Sequence, residues 1–403
     1  MTLAPPPSLP RSARHAATLL AAAFALCFVG SSLYLVQPLR PFHWGLALMA
    51  LAFCIDAATR RQFLASRMLP LAIGAVALIL LQVLWADNMA RYAQFGTIIA
   101  IGLAYAALGE VLARQGLSCL RWLPWLAALW FVLALVPTFD AWTHSERFRA
   151  EFPLTGGPWD NINNMATVLV VANLLWLLAR RRLLLPLFVA AWLYCLVLNR
   201  RSDLIAMAML GAAYLGLLLD APWRRKVALA GGWVILTAAA LVWMNYDGQA
   251  ARALPQLTVE SGEMTVVSAA GDYSTGYRTQ LLHDMLDQAR AMPWWQWFTG
   301  MGAGQLNVKW PVNDAMTPWA SPHLFWLEMF FYLGVAWPLF LLWLFWKLPR
   351  HGRVSLAVIA IAGIAPSSMV YFQPFWFLLG ALLAAALPDT AMETAFPAAV
   401  APT

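Results

Sequence analysis

The chain has 403 residues, of which 62% are hydrophobic and only 11% charged. A soluble domain of this size carries far more charge on its surface, so a soluble fold is excluded. The net charge of +7 resides mostly in short segments between apolar stretches, which suits anionic lipid at a membrane face and excludes nucleic acid as a partner.

Apolar stretches of about 20 residues recur from residue 18 to residue 387, each long enough to cross a hydrocarbon core of roughly 30 Å. The alternating ten-residue strands of a membrane β-barrel are absent from the pattern. The expected fold is all-α, a polytopic transmembrane helical bundle. Twelve spans are predicted, at 18–36, 42–58, 66–86, 93–110, 119–137, 160–179, 182–198, 203–220, 227–245, 321–347, 353–369 and 371–388. The first follows Arg11 and Arg14 and lacks a small-residue cleavage site, so it reads as a retained span rather than a signal peptide. Pro366 and Pro374 flank the short connection between the last two.

Loop charge sets the expected orientation. Arg11 and Arg14, then Arg60, Arg61 and Arg67, Arg114 and Arg121, Arg180 to Arg182, Arg224 to Lys226, and Lys347, Arg350 and Arg353 all fall on one side. The positive-inside rule makes that side cytoplasmic, with both termini there and a bacterial inner membrane as the location. Segments 37–41, 85–91, 139–159, 199–202 and 246–320 then face the periplasm. The predicted organisation is spans one to nine over 1–245, a periplasmic loop over 246–320, spans ten to twelve over 321–388, and a disordered cytoplasmic tail over 389–403.

Within the large loop, 276–292 reads as an amphipathic helix with Leu281, Leu282, Met285, Leu286 and Ala289 on its apolar side. Trp294, Trp295, Trp297, Trp310 and Trp319 follow, and indoles favour the headgroup layer. Cys27, Cys54, Cys119 and Cys195 form no C-x-x-C motif and read as structural thiols.

Five arginines stand out because they fall in external segments: Arg147, Arg149, Arg200, Arg201 and Arg278. An anionic substrate is one reason for such placement. Arg200 and Arg201 open a very short external loop, where a planar guanidinium fork suits a phosphate or diphosphate. Snorkelling with Asp203 as partner is the structural alternative. Arg278 follows Tyr277 at the predicted start of the amphipathic helix, where a basic side chain opposes the helix dipole unless it and the free amides address one anion together; a purely structural role is the alternative. Arg147 and Arg149 share their loop with Asp140, Glu146 and Glu151, so local ion pairs compete with a substrate role.

His323 is the candidate base, or alternatively a histidine capping a helix start. Glu328, five residues on, is a carboxylate inside a span and needs a partner. Asn163 and Asn164 enter the membrane behind Asp160 and Asn161, which read as caps of the sixth span. Gly300, Gly302 and Gly304 form a flexible turn without the Lys and Ser/Thr of a nucleotide-binding loop. Metal-binding motifs are lacking, and no cofactor is expected.

In order, Asn199-Arg200-Arg201-Ser202, Gly276-Tyr277-Arg278, Gly300-x-Gly302, and His323 with Glu328 and Gly334 resemble the O-antigen ligase and polymerase superfamily. Trp85-Ala86-Asp87 and the Asn-rich entrance to the sixth span are similar to further family features. The resemblance implies a metal-independent, inverting glycosyltransferase of GT-C type. It would take a glycan from undecaprenyl diphosphate at the periplasmic face and, as a ligase, transfer it to a sugar of lipid A–core. It assigns an essential arginine at Arg200 or Arg201, a second at Arg278, and a histidine at His323. Polymerisation of lipid-linked repeats and glycan transfer to protein are the alternatives within the family. A secondary transporter, which predicts paired hydrophobic repeats, and a scaffolding membrane protein are the alternatives outside it.

Overall fold

The computed structural model describes residues 10–31, 33, 39–135, 157–159, 162–198, 200–245, 257–260, 263–266, 273–312, 315–319, 324–364 and 369–387. Of residues 244, 245, 257–260, 263–266, 273–280, 308–312 and 315–319 it describes the backbone alone. The helices are α1 (Arg11–Val29), α2 (Pro41–Ile55), α3 (Ala57–Leu64), α4 (Met68–Leu81), α5 (Met89–Arg114) and α6 (Leu123–Ala134). There follow α7 (Ile162–Arg180), α8 (Leu185–Val197), α9 (Arg201–Ala213) and α10 (Trp223–Asn245). The last group is α11 (Tyr273–Ala291), the single turn α12 (Gln296–Thr299), α13 (Phe325–Leu333), α14 (Ala336–Lys347), α15 (Arg350–Ala362) and α16 (Gln373–Ala386).

Among the described residues five helices are long and apolar enough to cross a membrane, or six if the bent pair α2–α3 counts as one span, and five shorter apolar helices accompany them. Several helices of this all-helical fold are thus apolar enough to span a membrane, and the five shorter ones fall within predicted spans without the length to cross one by themselves. Helices of 13 or 14 residues, such as α8 and α16, rise only about 20 Å. Two predicted spans are also interrupted. The second ends at Ile55, and the chain bends by 113° into α3. The tenth breaks at Gly334 into α13 and α14.

Local chemistry explains both breaks. Asp56 is extended (φ −128°, ψ 116°), and its carboxylate accepts from the Thr59 amide at 2.8 Å, so it ends one helix and caps the next. Gly334 has φ +66°, and a Cβ there would strike the backbone of Phe298 and Gly300. Gly300, with φ +79°, lies equally close to the backbone of Tyr332. The glycine run is therefore a docked turn rather than a flexible one. Gln82 clamps it, donating to the carbonyls of Thr299 and Tyr332 at 2.7 Å and accepting from the Ala303 amide at 3.1 Å.

The core is built on α7, which is buried on nearly every face, and on the close pair α5–α16. Gly102 and Gly109 on α5 and Gly380 on α16 bring those two backbones together, and a Cβ on Gly380 would strike the carbonyl of Ala106. In contrast, α10 is 6% buried over its apolar window, which puts it at the edge of the bundle.

Two ends of the bundle are distinguished by their bonds. At one, Glu110 accepts from the amides of Arg67 (3.0 Å) and Met68 (2.8 Å) and from the Ser66 hydroxyl (2.5 Å), and it pairs with Arg114. Arg67 also donates to the carbonyl of Leu387, and Ser12 donates to Asp56 at 3.2 Å. This end thus joins the starts of α1 and α4 to the ends of α2, α5 and α16, and it is rich in arginine. At the other end the Trp130 indole donates to Phe28 O at 2.8 Å, and Trp159 packs on Phe372 at 5.4 Å.

Two short antiparallel hairpins accompany the helices of this all-α fold. Val308–Val312 pairs with Ala315–Trp319, and Leu257–Glu260 with Glu263–Val266. Each strand has an open edge, which tolerates Pro311 and Pro318. Helix α11 packs on the later hairpin, and Gln288 exchanges bonds with the backbone of Asn307 at 2.5 and 3.1 Å. Of the apolar side expected for this helix, Leu281 and Met285 are buried and Ala289 packs against the core, while Leu282 and Leu286 are exposed. Trp294 and Trp297 are exposed, as interfacial indoles are expected to be. The four cysteines are free thiols, with Cys27, Cys119 and Cys195 buried and Cys54 exposed.

Candidate functional site

At the second end, α8 hands over to α9 in a tight reversal. The Arg200 amide donates to Cys195 O at 2.8 Å, and the Arg200 carbonyl accepts the first bond of α9, from Leu204, at 2.8 Å. This fixes the guanidinium toward the start of α7. Its Nε donates to Leu198 O at 2.8 Å, and its Nη1 donates to Asn163 Oδ1 at 2.8 Å. Three residues on, Asp203 is fully buried and accepts from the Thr167 hydroxyl at 3.1 Å. A carboxylate in the first turn of α9 also complements the helix dipole. Tyr194 lies within electrostatic reach of both Arg200 and Asp203.

Two sequence candidates, Arg200 and Asn163, are therefore in contact. Asn164 is buried beside them on α7, whereas Arg201 is exposed. The neighbours Arg200 and Arg201 diverge because one precedes the helix and the other opens it.

A second polar group forms around α13. Glu328 is fully buried and accepts from the Tyr332 hydroxyl at 3.1 Å. The Phe95 ring packs against both Tyr332 (5.5 Å) and Tyr371 (5.3 Å), and Gln94 donates to the Tyr371 hydroxyl at 3.3 Å. Glu328 and Arg40 lie in electrostatic reach of Tyr371, and Arg91 in reach of Tyr332. A carboxylate in an apolar bundle needs this kind of company.

Arg40 and Arg91 were passed over in the sequence reading, although they fall in the external segments 37–41 and 85–91. The signal that marks Arg200, a cation on the wrong side of the positive-inside pattern, marks them equally. The chain from Tyr371 through Phe372 to Trp159 leads from the second polar group toward the first. Beside it, Gln373 is 2% exposed, and neither of its amide atoms has a partner among the described residues. The Trp159 indole N–H is likewise buried without one.

The remaining candidates divide by position. Tyr277 and Arg278 lie on α11, but their side chains are not among those described. The helix begins at Tyr273, so Arg278 sits in its second turn and not at its start. The pull of a helix N-terminus on an anion fades within the first turn, so that part of the argument for Arg278 falls away. His323, Arg147 and Arg149 lie outside the described residues, as do Asp160, Asn161 and the tail 389–403.

No family model matches this chain, and no curated protein or solved structure matches it. The case for function rests on the residues themselves.

Proposed function

We propose that the chain is a lipid-linked oligosaccharide glycosyltransferase of the O-antigen ligase type. It transfers a glycan from undecaprenyl diphosphate to a sugar hydroxyl of lipid A–core. The observation that carries this reading is Arg200 held against Asn163 at 2.8 Å, at the end of the bundle opposite the arginine-rich one. Positive-inside logic assigns the arginine-rich end to the cytoplasm and this guanidinium to the periplasmic face.

In the proposed reaction Arg200 and Arg278 hold the diphosphate, and Arg40 and Arg91 add positive potential at the same face. The acceptor oxygen attacks the anomeric carbon from the side opposite the diphosphate, inverting it. The bond from anomeric carbon to phosphate oxygen breaks, and its electron pair leaves on the diphosphate. The arginines stabilise that charge, and His323 takes the acceptor proton. Glu328, bonded to Tyr332, orients the neighbouring wall of the site. In this reading Arg147, Arg149, Asn163, Asn164 and Tyr277 contact the substrate.

The test is transfer by purified full-length protein given undecaprenyl-diphosphate glycan. Lipid A–core and a second lipid-linked repeat are offered separately as acceptors. Product on lipid A–core alone is expected. Product on the second repeat alone replaces the ligase reading with a polymerase one, and no product with either acceptor removes both.

A further inference from the structure

A separate cavity opens at the arginine-rich end, between α1 and the 3-10 turn Ser118–Trp122 that precedes α6. Its volume is about 450 Å³, within the range of small-molecule sites. The turn that forms its lip is rigid. Gly116 (φ +80°) and Leu117 (φ +52°) are both left-handed, Leu117 is buried, and the Leu120 amide donates to Leu117 O at 3.0 Å. Cys119 and Leu120 are buried behind the lip, which leaves Arg121 and Trp122 facing outward. The Arg121 guanidinium lies 5.4 Å from the centre of the Trp122 ring.

The opposite wall is the face of α1 that carries Ala17, Thr18, Ala21, Ala22 and Ala25. Leu20, Phe24 and Phe28 are buried on the other side, while Ala17, Ala21 and Ala25 line the cavity with nothing beyond a methyl group. Ala17 lies nearest the arginine-rich end, and Ala25 lies about 12 Å further along the helix. The cavity thus runs along the helix, lined mostly by alanine methyls with Thr18 among them, and has a cation and the Ser118 hydroxyl at its mouth.

We infer that this cavity binds one anionic phospholipid, with its phosphate on Arg121 and Ser118 and an acyl chain in the alanine channel. Charge complementarity selects this occupant. The surrounding end carries Arg11, Arg14, Arg60, Arg61 and Arg114 and attracts anionic headgroups. The exposed Trp122 and Trp125 are placed where indoles meet headgroups.

The experiment is native mass spectrometry of the full-length protein titrated with phosphatidylglycerol or with phosphatidylcholine of the same chains. One phosphatidylglycerol is expected to be retained about fivefold better, the worth of one basic residue near a charged surface. Arg121→Gln is expected to lower its retention to that of phosphatidylcholine, and Ala21→Leu, which blocks the channel, to reduce both. Equal retention of the two lipids by the unaltered protein overturns the inference, as does unchanged retention in Arg121→Gln. A dimer abolished by Ala21→Leu with lipid retention intact also overturns it and assigns the face to a second copy. A photoactivatable phosphatidylglycerol tests the same point without a variant: it is expected to label the segment 117–125, and labelling confined to other segments overturns the inference.

Discussion

At the scale of single residues, Arg200 and Arg201 separate most sharply. They are adjacent in sequence, yet only Arg200 is bonded to Asn163 and to Leu198 O, and Arg201 is exposed. The Arg200→Ala variant is expected to lose about a hundredfold or more of its transfer rate, the usual effect of removing a donor that meets developing charge. Arg201→Ala is expected to stay within a few-fold. The reverse order, measured under saturating donor, would move the anion contact to Arg201. Gln373 offers a second test. A buried amide without partners costs about 1–3 kcal/mol of stability, so Gln373→Leu is expected to raise the thermal unfolding midpoint. If transfer nevertheless falls, the amide serves a substrate hydroxyl. Arg200 and Asn163 are each legible in the sequence as polar residues at the mouths of apolar stretches, whereas their contact with one another is not. Arg40 and Arg91 obeyed the same rule and were missed, because each sits close to a span boundary and reads as an ordinary flanking cation.

At the scale of elements, the informative places are the breaks. Asp56 ends α2 and caps α3, and bonds from the Thr59 amide and hydroxyl hold its carboxyl below the ordinary value of 3.8, with Ser12 and Arg61 adding to the effect against burial. The folded state therefore binds the proton less tightly than the unfolded state does. The stability this contributes is fully present above the ordinary value and is lost as pH falls through the lowered one. Asp56→Asn keeps a cap but removes the charge. Its unfolding midpoint is expected to be flatter than the parent's across the acid range, which differential scanning fluorimetry reads directly, and an equal slope would assign the acid sensitivity to another carboxyl. Gly334→Ala is expected to destabilise by more than about 1 kcal/mol, because a positive φ and the backbone of Phe298 both oppose a Cβ. Hydropathy is blind to such breaks, since an average over 20 residues smooths one aspartate or one glycine out of an apolar run. The amphipathic helix, by contrast, was readable from its three-and-four spacing over 276–292, and the structure begins it three residues earlier, at Tyr273. That small shift matters, because it moves Arg278 out of the first turn.

For the whole molecule, the alternation of basic and non-basic connections predicted two ends, and the bonds of Glu110, Arg67 and Asp56 gather an arginine-rich end. What the pattern missed is depth. A short helix such as α16 is apolar because it is buried in the bundle, and burial and lipid exposure leave the same mark on a sequence. Sidedness is the property on which the proposed chemistry depends, since a periplasmic donor cannot reach a cytoplasmic Arg200. It can be tested without any substrate. In a background with the four native cysteines replaced by alanine, Arg225→Cys reports the arginine-rich end and Asp287→Cys, on the exposed side of α11, reports the other. A membrane-impermeant thiol reagent that enters the periplasm of intact cells is expected to label Asp287→Cys and to spare Arg225→Cys until the inner membrane is opened. Labelling of Arg225→Cys alone would invert the topology and carry Arg200 to the cytoplasmic face, where the donor diphosphate of the proposed reaction is not presented. Labelling of both in intact cells would mean that the basic loops do not hold the chain in one orientation. Part of the population would then carry the site on the cytoplasmic face, and the positive-inside argument that singled out these arginines would no longer apply to them.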